Sequence, residues 1–146
     1  MKAFRLLILA GVFFAAMNSC HVPPSEERFI RADQITDSMY VFPVKMEDGT
    51  VDYSISFYTV IDNKGVSSLP LAIRLVSPSG KVYTETVSMP VGNRKGDRQL
   101  YRSGLEPYEY GVWGLKIKVL KDIPGFRGIG VICEHKNKED GTRQTP

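Results

Sequence analysis

The sequence predicts an all-β protein: a single Ig-like antiparallel β-sandwich of about six or seven strands, following a signal peptide and a short tether. Three observations predict it. Apolar and polar residues alternate with period two in successive segments, as in half-buried strands. Turn-forming residues stand between those segments. No stretch after residue 20 carries a 3.6-residue apolar period bounded by caps. The chain has 146 residues. Without a 19-residue leader it has the length of one domain with one core.

The leader comes first. Lys2 and Arg5 form a positive n-region, and Leu6 to Met17 is an apolar run of 12 residues, LLILAGVFFAAM. Such a run is too short to span a bilayer comfortably and fits a secretory h-region. Residues 1–19 are therefore expected to be a lipoprotein signal peptide. The tetrad Met17-Asn18-Ser19-Cys20 resembles a bacterial lipobox, with Met17 and Asn18 in place of the usual Leu and Ala. The resemblance implies that the Cys20 thiol is diacylated and that Cys20 becomes the new N-terminus. Several acyl chains anchor stably where one is marginal. The alternative is an ordinary secretory signal with a coincidental cysteine. His21, rather than Asp, after Cys20 is compatible with outer-membrane sorting.

Lys2 and Arg5 belong to the leader, so the rest of the chain carries 17 basic and 16 acidic residues. A near-neutral chain lacks the clustered basic surface that nucleic acid requires. The second cysteine, Cys133, cannot form an intrachain disulfide alone. It shares a strand face with Ile129 and Val131, and there a free thiol packs as a small hydrophobe.

Residues 20–37 read as the lipidated Cys and a flexible tether. Pro23-Pro24 stiffens its start, and charges follow without a sustained period. Ser25-Glu26-Glu27 resembles the acidic motif that directs surface export of some Bacteroidetes lipoproteins. A solvated linker is the plainer reading.

The sandwich is expected over residues 38–136. Residues 39–44 form a strand in which Pro43 suggests an edge or a bulge. Tyr53, Ile55 and Phe57 alternate with Ser54 and Ser56. Leu71, Ile73 and Leu75 alternate with Ala72 and Arg74. Residues 82–87 form a Thr-, Tyr- and Val-rich strand whose inward face the pattern leaves ambiguous. Trp113, Leu115, Ile117 and Val119 alternate with Gly114, Lys116 and Lys118, and Ile129, Val131 and Cys133 close the set. Turns fall at residues 47–50 and 62–65. Ser77-Pro78-Ser79-Gly80 is the sharpest: Pro78 pre-sets φ, and Gly80 is free to take positive φ. Residues 71–76 and 81–87 should therefore pair as a hairpin. Residues 137–146 are a polar C-terminal tail.

Three ordered blocks carry a family resemblance. The first joins Tyr53-Ser54-Ile55-Ser56-Phe57 to Leu69-Pro70-Leu71-Ala72-Ile73. The second runs from Pro78-Ser79-Gly80-Lys81-Val82 to Glu85-Thr86-Val87-Ser88-Met89-Pro90. The third joins Tyr110-Gly111-Val112-Trp113 to residues 123–131, IPGFRGIGV. With the lipobox, they resemble the GldH family of gliding-motility-associated lipoproteins of Bacteroidetes, over roughly residues 39–136. The segment from Pro90 to Tyr110 is shorter than the family pattern, and Val119-Leu120-Lys121 replaces its usual Gln and Met-Arg. The resemblance implies an envelope lipoprotein with no enzymatic activity assigned.

His21 and His135 do not lie in ligand-spaced clusters, and no catalytic triad, phosphate loop or cofactor motif is evident. The carboxylate pairs Glu26-Glu27, Glu47-Asp48 and Glu139-Asp140 fall in turn or linker sequence, and Asp33 with Asp37 in the tether. Catalytic residues, metal sites and cofactors are expected to be none. Gly92 to Tyr110 is the most informative polar stretch, GNRKGDRQLYRSGLEPYEY. It reads as a long loop, either solvated or partner-binding, with Arg94, Arg98, Tyr101, Arg102 and Tyr108 as candidate contacts, because Arg and Tyr are frequent hot-spot residues. Trp113 shares a face with Leu115 and Ile117 and reads as core rather than as a sugar platform. The expected function is a membrane-anchored, non-enzymatic component of an envelope complex, held by the lipid on Cys20 and contacting envelope protein partners but not nucleic acid. The alternative is a surface lipoprotein binding a small ligand or glycan.

Overall fold

The computed structural model describes residues 24–92, 94 and 96–138. The expected signal peptide, Cys20 and nearly all of the C-terminal tail lie outside the described residues. The eight strands are β1 (Ser25–Arg31), β2 (Met39–Met46), β3 (Val51–Ile61), β4 (Ser68–Val76), β5 (Val82–Pro90), β6 (Gln99–Leu105), β7 (Gly111–Val119) and β8 (Phe126–Asn137). They form two antiparallel sheets, ordered β1-β8-β3-β6 and β2-β7-β4-β5. Inward residues of both sheets meet in one core, which makes the fold a β-sandwich.

Period-two alternation is what builds this core. Tyr40, Phe42, Val44 and Met46 are buried along β2 while the residues between them are exposed. Tyr53, Ile55 and Phe57 supply β3, Leu69, Leu71 and Ile73 supply β4, and Trp113, Leu115 and Ile117 supply β7. Each fully buried side chain of this size contributes on the order of 1.5–3 kcal/mol. Trp113 is 3% exposed and its Nε1–H donates to the Glu109 carbonyl at 3.0 Å, so both its ring and its polar atom are satisfied inside. Cys133 is buried on the inward face of β8, as its neighbours predict.

The hairpin of β4 and β5 runs in unbroken register from Ser68 opposite Pro90 to Val76 opposite Val82. Its turn is closed by Ser77 N–H to the Lys81 carbonyl at 2.8 Å, with Gly80 at φ +91°. Pro43 lies in β2, an edge strand, where one side of the proline faces no ladder.

β1 and β6 depart from the sequence expectation, and both edge the same sheet. Residues 25–31 are not part of a flexible tether. They pair with β8 from Ser25 opposite Glu134 to Arg31 opposite Gly128, and a short 3-10 turn, Ala32–Gln34, follows. Four charges and an almost fully exposed surface hide this strand, because only Ile30 is even partly covered. The segment 92–110 is likewise not one long loop, since β6 runs through its middle. Tyr53 pairs with Leu105, Ile55 with Arg102 and Ser56 with Leu100, so β6 takes up two extra residues as bulges that destroy its period. The β8 strand also continues to Asn137, one residue beyond the expected end of the domain.

Candidate interaction surface

One flank of the sandwich is formed by two free edges, β5 of one sheet and β6 of the other. Glu85 lies opposite the core residue Ile73 and so sits on the inward side of β5. From there its carboxylate reaches across to β6. Arg102 donates through Nη2 to both Glu85 oxygens, at 2.9 and 2.8 Å, and the Tyr101 hydroxyl donates to the same carboxylate. The Tyr101 ring stacks on Phe57 with centroids 4.6 Å apart, and the Arg102 guanidinium carbon lies 4.8 Å from the Tyr101 ring centroid. Burial, then the Glu85 hydrogen bond, raises the Tyr101 phenol well above its ordinary pKa, so it stays a donor. Below this bridge Phe57, Val87, Met89, Leu100 and Gln99 line a shallow cleft of about 190 Å³. Leu100 is 65% exposed beside it.

A free strand edge is a template for another strand, and proteins ordinarily block it with charge, proline or bulges. The four edges here differ. β1 carries Glu26, Glu27, Arg28 and Arg31. β2 has Pro43 at mid-strand and Lys45, which pairs with Glu26 at 3.2 Å. β6 has its two bulges, Gly104 at φ +62°, and Arg102. β5 has neither proline nor bulge in its interior. Its register is regular over nine residue pairs, and its outward row is Val82, Thr84, Thr86 and Ser88. Its one charge, Glu85, is held inward by Tyr101 and Arg102. β5 is therefore the unblocked edge of this sandwich.

The candidate contacts named from sequence do not gather at one point. Arg94 is exposed at the end of the sandwich where β3 finishes, its N–H donating to Asp97 at 3.0 Å, beside a cleft of about 600 Å³. Arg98 binds Glu134 of β8 at 2.6 Å and holds that carboxyl below the usual glutamate range. Tyr101 and Arg102 form the bridge to Glu85. Tyr108 lies at the opposite end, edge-on to Trp113 at 5.5 Å and to Tyr83 at 6.2 Å, with Lys81 Nζ 5.0 Å from its ring. Thus Arg98, Tyr101 and Arg102 are already engaged within the domain, and substituting Tyr101 perturbs packing as well as surface. Sequence reasoning missed the importance of β5. Its signal was present in the run from Val82 to Pro90, which holds one charged residue.

Burial pushes the Cys133 thiol up to about 11, which keeps it in the thiol form near neutral pH. Among the described residues no group of three or more His, Cys, Asp or Glu is placed to hold a metal ion, and no helix is long and apolar enough to cross a membrane. Comparison of the sequence with protein-family models and with curated proteins finds no match.

Proposed function

We propose that this chain is a non-enzymatic, membrane-anchored lipoprotein that serves as a structural or interaction component of a bacterial envelope complex, similar to GldH, at the outer membrane. In this reading the lipid on Cys20 provides the anchor and the sandwich, read as Ig-like, provides the contact. The observation that carries it is the unblocked edge of β5. Strand addition there gains main-chain hydrogen bonds for affinity, and Val82, Thr84, Thr86 and Ser88 supply side-chain selection. The neighbouring Glu85–Tyr101–Arg102 bridge ties β5 to β6, which lowers the ordering cost of presenting the edge.

The glycan reading would need exposed aromatics lining a concave site. The cleft near Arg94 is lined by residues such as Thr59, Asp62, Lys64 and Ser67, without an aromatic ring. The exposed Tyr108 and Tyr110 are at the other end. That separation favours a protein partner.

The test is co-purification from native envelopes after mild cross-linking, with a C-terminal tag that leaves Cys20 available for lipidation. The wild type should bring down a stoichiometric envelope protein. Thr86→Lys with Ser88→Lys, placed opposite the uncharged Ala72 and Pro70, should lose it at unchanged thermal stability. Retention of the same partner by this folded variant would overturn the assignment to β5.

A further inference from the structure

The pairing of β1 so near Cys20 constrains how an anchored domain sits on a bilayer. Pro24 accepts a hydrogen bond from His135 N–H at 3.4 Å, and Ser25 is already paired with Glu134. Only His21, Val22 and Pro23 lie between Cys20 and Pro24, four Cα-to-Cα steps in all. Even fully extended they span about 14 Å, at roughly 3.3–3.6 Å per residue. A nine-residue strand such as β4 is about 30 Å long, at about 3.3 Å per residue. An acylated Cys20 therefore holds one particular end of the sandwich near the bilayer.

That end is built from the turns at 47–50, 77–81 and 106–110 and from the close of β8. Lys138 N–H bonds the Thr50 carbonyl at 3.3 Å, and Ser79 donates to Glu109 at 2.8 Å, so these segments form one connected surface. It carries exposed aromatics: Tyr83, Tyr108 and Tyr110 are 50%, 52% and 59% exposed. Tyr110 lies so close over Gly49 that a Cβ there would come within 2.5 Å of its hydroxyl, so the turn is shaped to the ring. Tyrosine is the residue that settles at membrane–water interfaces, with its ring among acyl carbons and its hydroxyl among headgroups. Positive charge does not explain the surface: Lys81, Lys136 and Lys138 are outnumbered by Glu47, Asp48, Glu106 and Glu109.

We propose that this end, through Tyr108 and Tyr110, docks in the headgroup layer of the phospholipid bilayer that carries the Cys20 lipid. The inference rests on lipidation of Cys20. It places β5 upright, with its edge open sideways to a partner on the same membrane, and turns the cleft near Arg94 away from the bilayer.

The test uses the mature lipidated chain reconstituted in phosphatidylcholine vesicles. An environment-sensitive fluorophore is attached at Glu47→Cys, at the docking end, or at Lys64→Cys, at the far end; buried Cys133 stays unlabelled. Acylation is read on the same sample from the mass of the N-terminal peptide. The proposal expects iodide quenching at position 47 to fall several-fold on moving from detergent to vesicles, with position 64 unchanged, and Tyr110→Ser to restore quenching at 47. An acylated protein in which both positions stay equally accessible overturns the docking alone. An unacylated Cys20 overturns the anchor reading and the docking with it.

Discussion

Cys133 stands on β8 with Ile129 and Val131, and its environment decides its chemistry. Desolvation is the main cause that raises its thiol to about 11, and the nearby Glu26 and Glu134 carboxylates add to it. Folded protein at pH 7–8 should therefore react with a thiol reagent at least about a hundredfold more slowly than denatured protein, because exchange follows thiolate fraction and access. Labelling with and without denaturant checks this; comparable rates would mean that the β1–β8 margin opens readily. This residue was legible from sequence because the three-residue apolar row around it states its face. Tyr101 was not. Its partners Phe57 and Glu85 lie on β3 and β5, and no local spacing announces such a contact.

At the scale of the element, strands were legible in proportion to how much of one face they bury. β2, β3, β4, β7 and β8 put three or more apolar side chains into the core, and their alternation reads directly. β5 was located, but Tyr83, Glu85, Val87 and Met89 make a mixed inward row, which left its face ambiguous. β1 and β6 hide for different reasons, charge in one and bulges in the other. The start of β6 is nevertheless tied to its sheet by Arg98, the residue before the strand, and Glu134. The Arg98 hydrogen bond depresses the Glu134 pKa against a smaller opposing desolvation. A depressed carboxylate contributes stability above its unfolded pKa, about 4.3, and that contribution is lost as pH falls through the folded value. Arg98→Met should therefore cost on the order of 0.5 kcal/mol at pH 7 and nothing measurable near pH 2–3. Thermal unfolding of both proteins across that range checks the sign; an equal cost at both pH values would place the role of Arg98 in packing rather than charge.

For the whole molecule, the pairing of β1 with β8 matters more to function than the number of strands does. A tether of residues 20–37 would let the domain swing far from the bilayer. With β1 paired to β8, the link beyond a lipidated Cys20 shortens to a few residues, and the free edges acquire directions relative to the membrane. The sandwich then has three edges blocked by charge, proline or bulges and one regular edge, β5, backed by the Glu85 bridge. The candidate residues chosen from sequence for their types, Arg94, Arg98, Tyr101, Arg102 and Tyr108, are divided between both ends and the flank. Residue type marked a region rich in contacts, but only the strand order reveals which edge is open.

The most direct measurement is site-specific photocrosslinking in intact envelopes, with a photoreactive residue at Thr86 on β5 or at Val41 on β2, the opposite edge of the same sheet. The account predicts one discrete protein adduct from Thr86 and none from Val41. Adducts of the same partner from Val41 but not from Thr86, or from neither position while the protein remains folded and anchored, would contradict it.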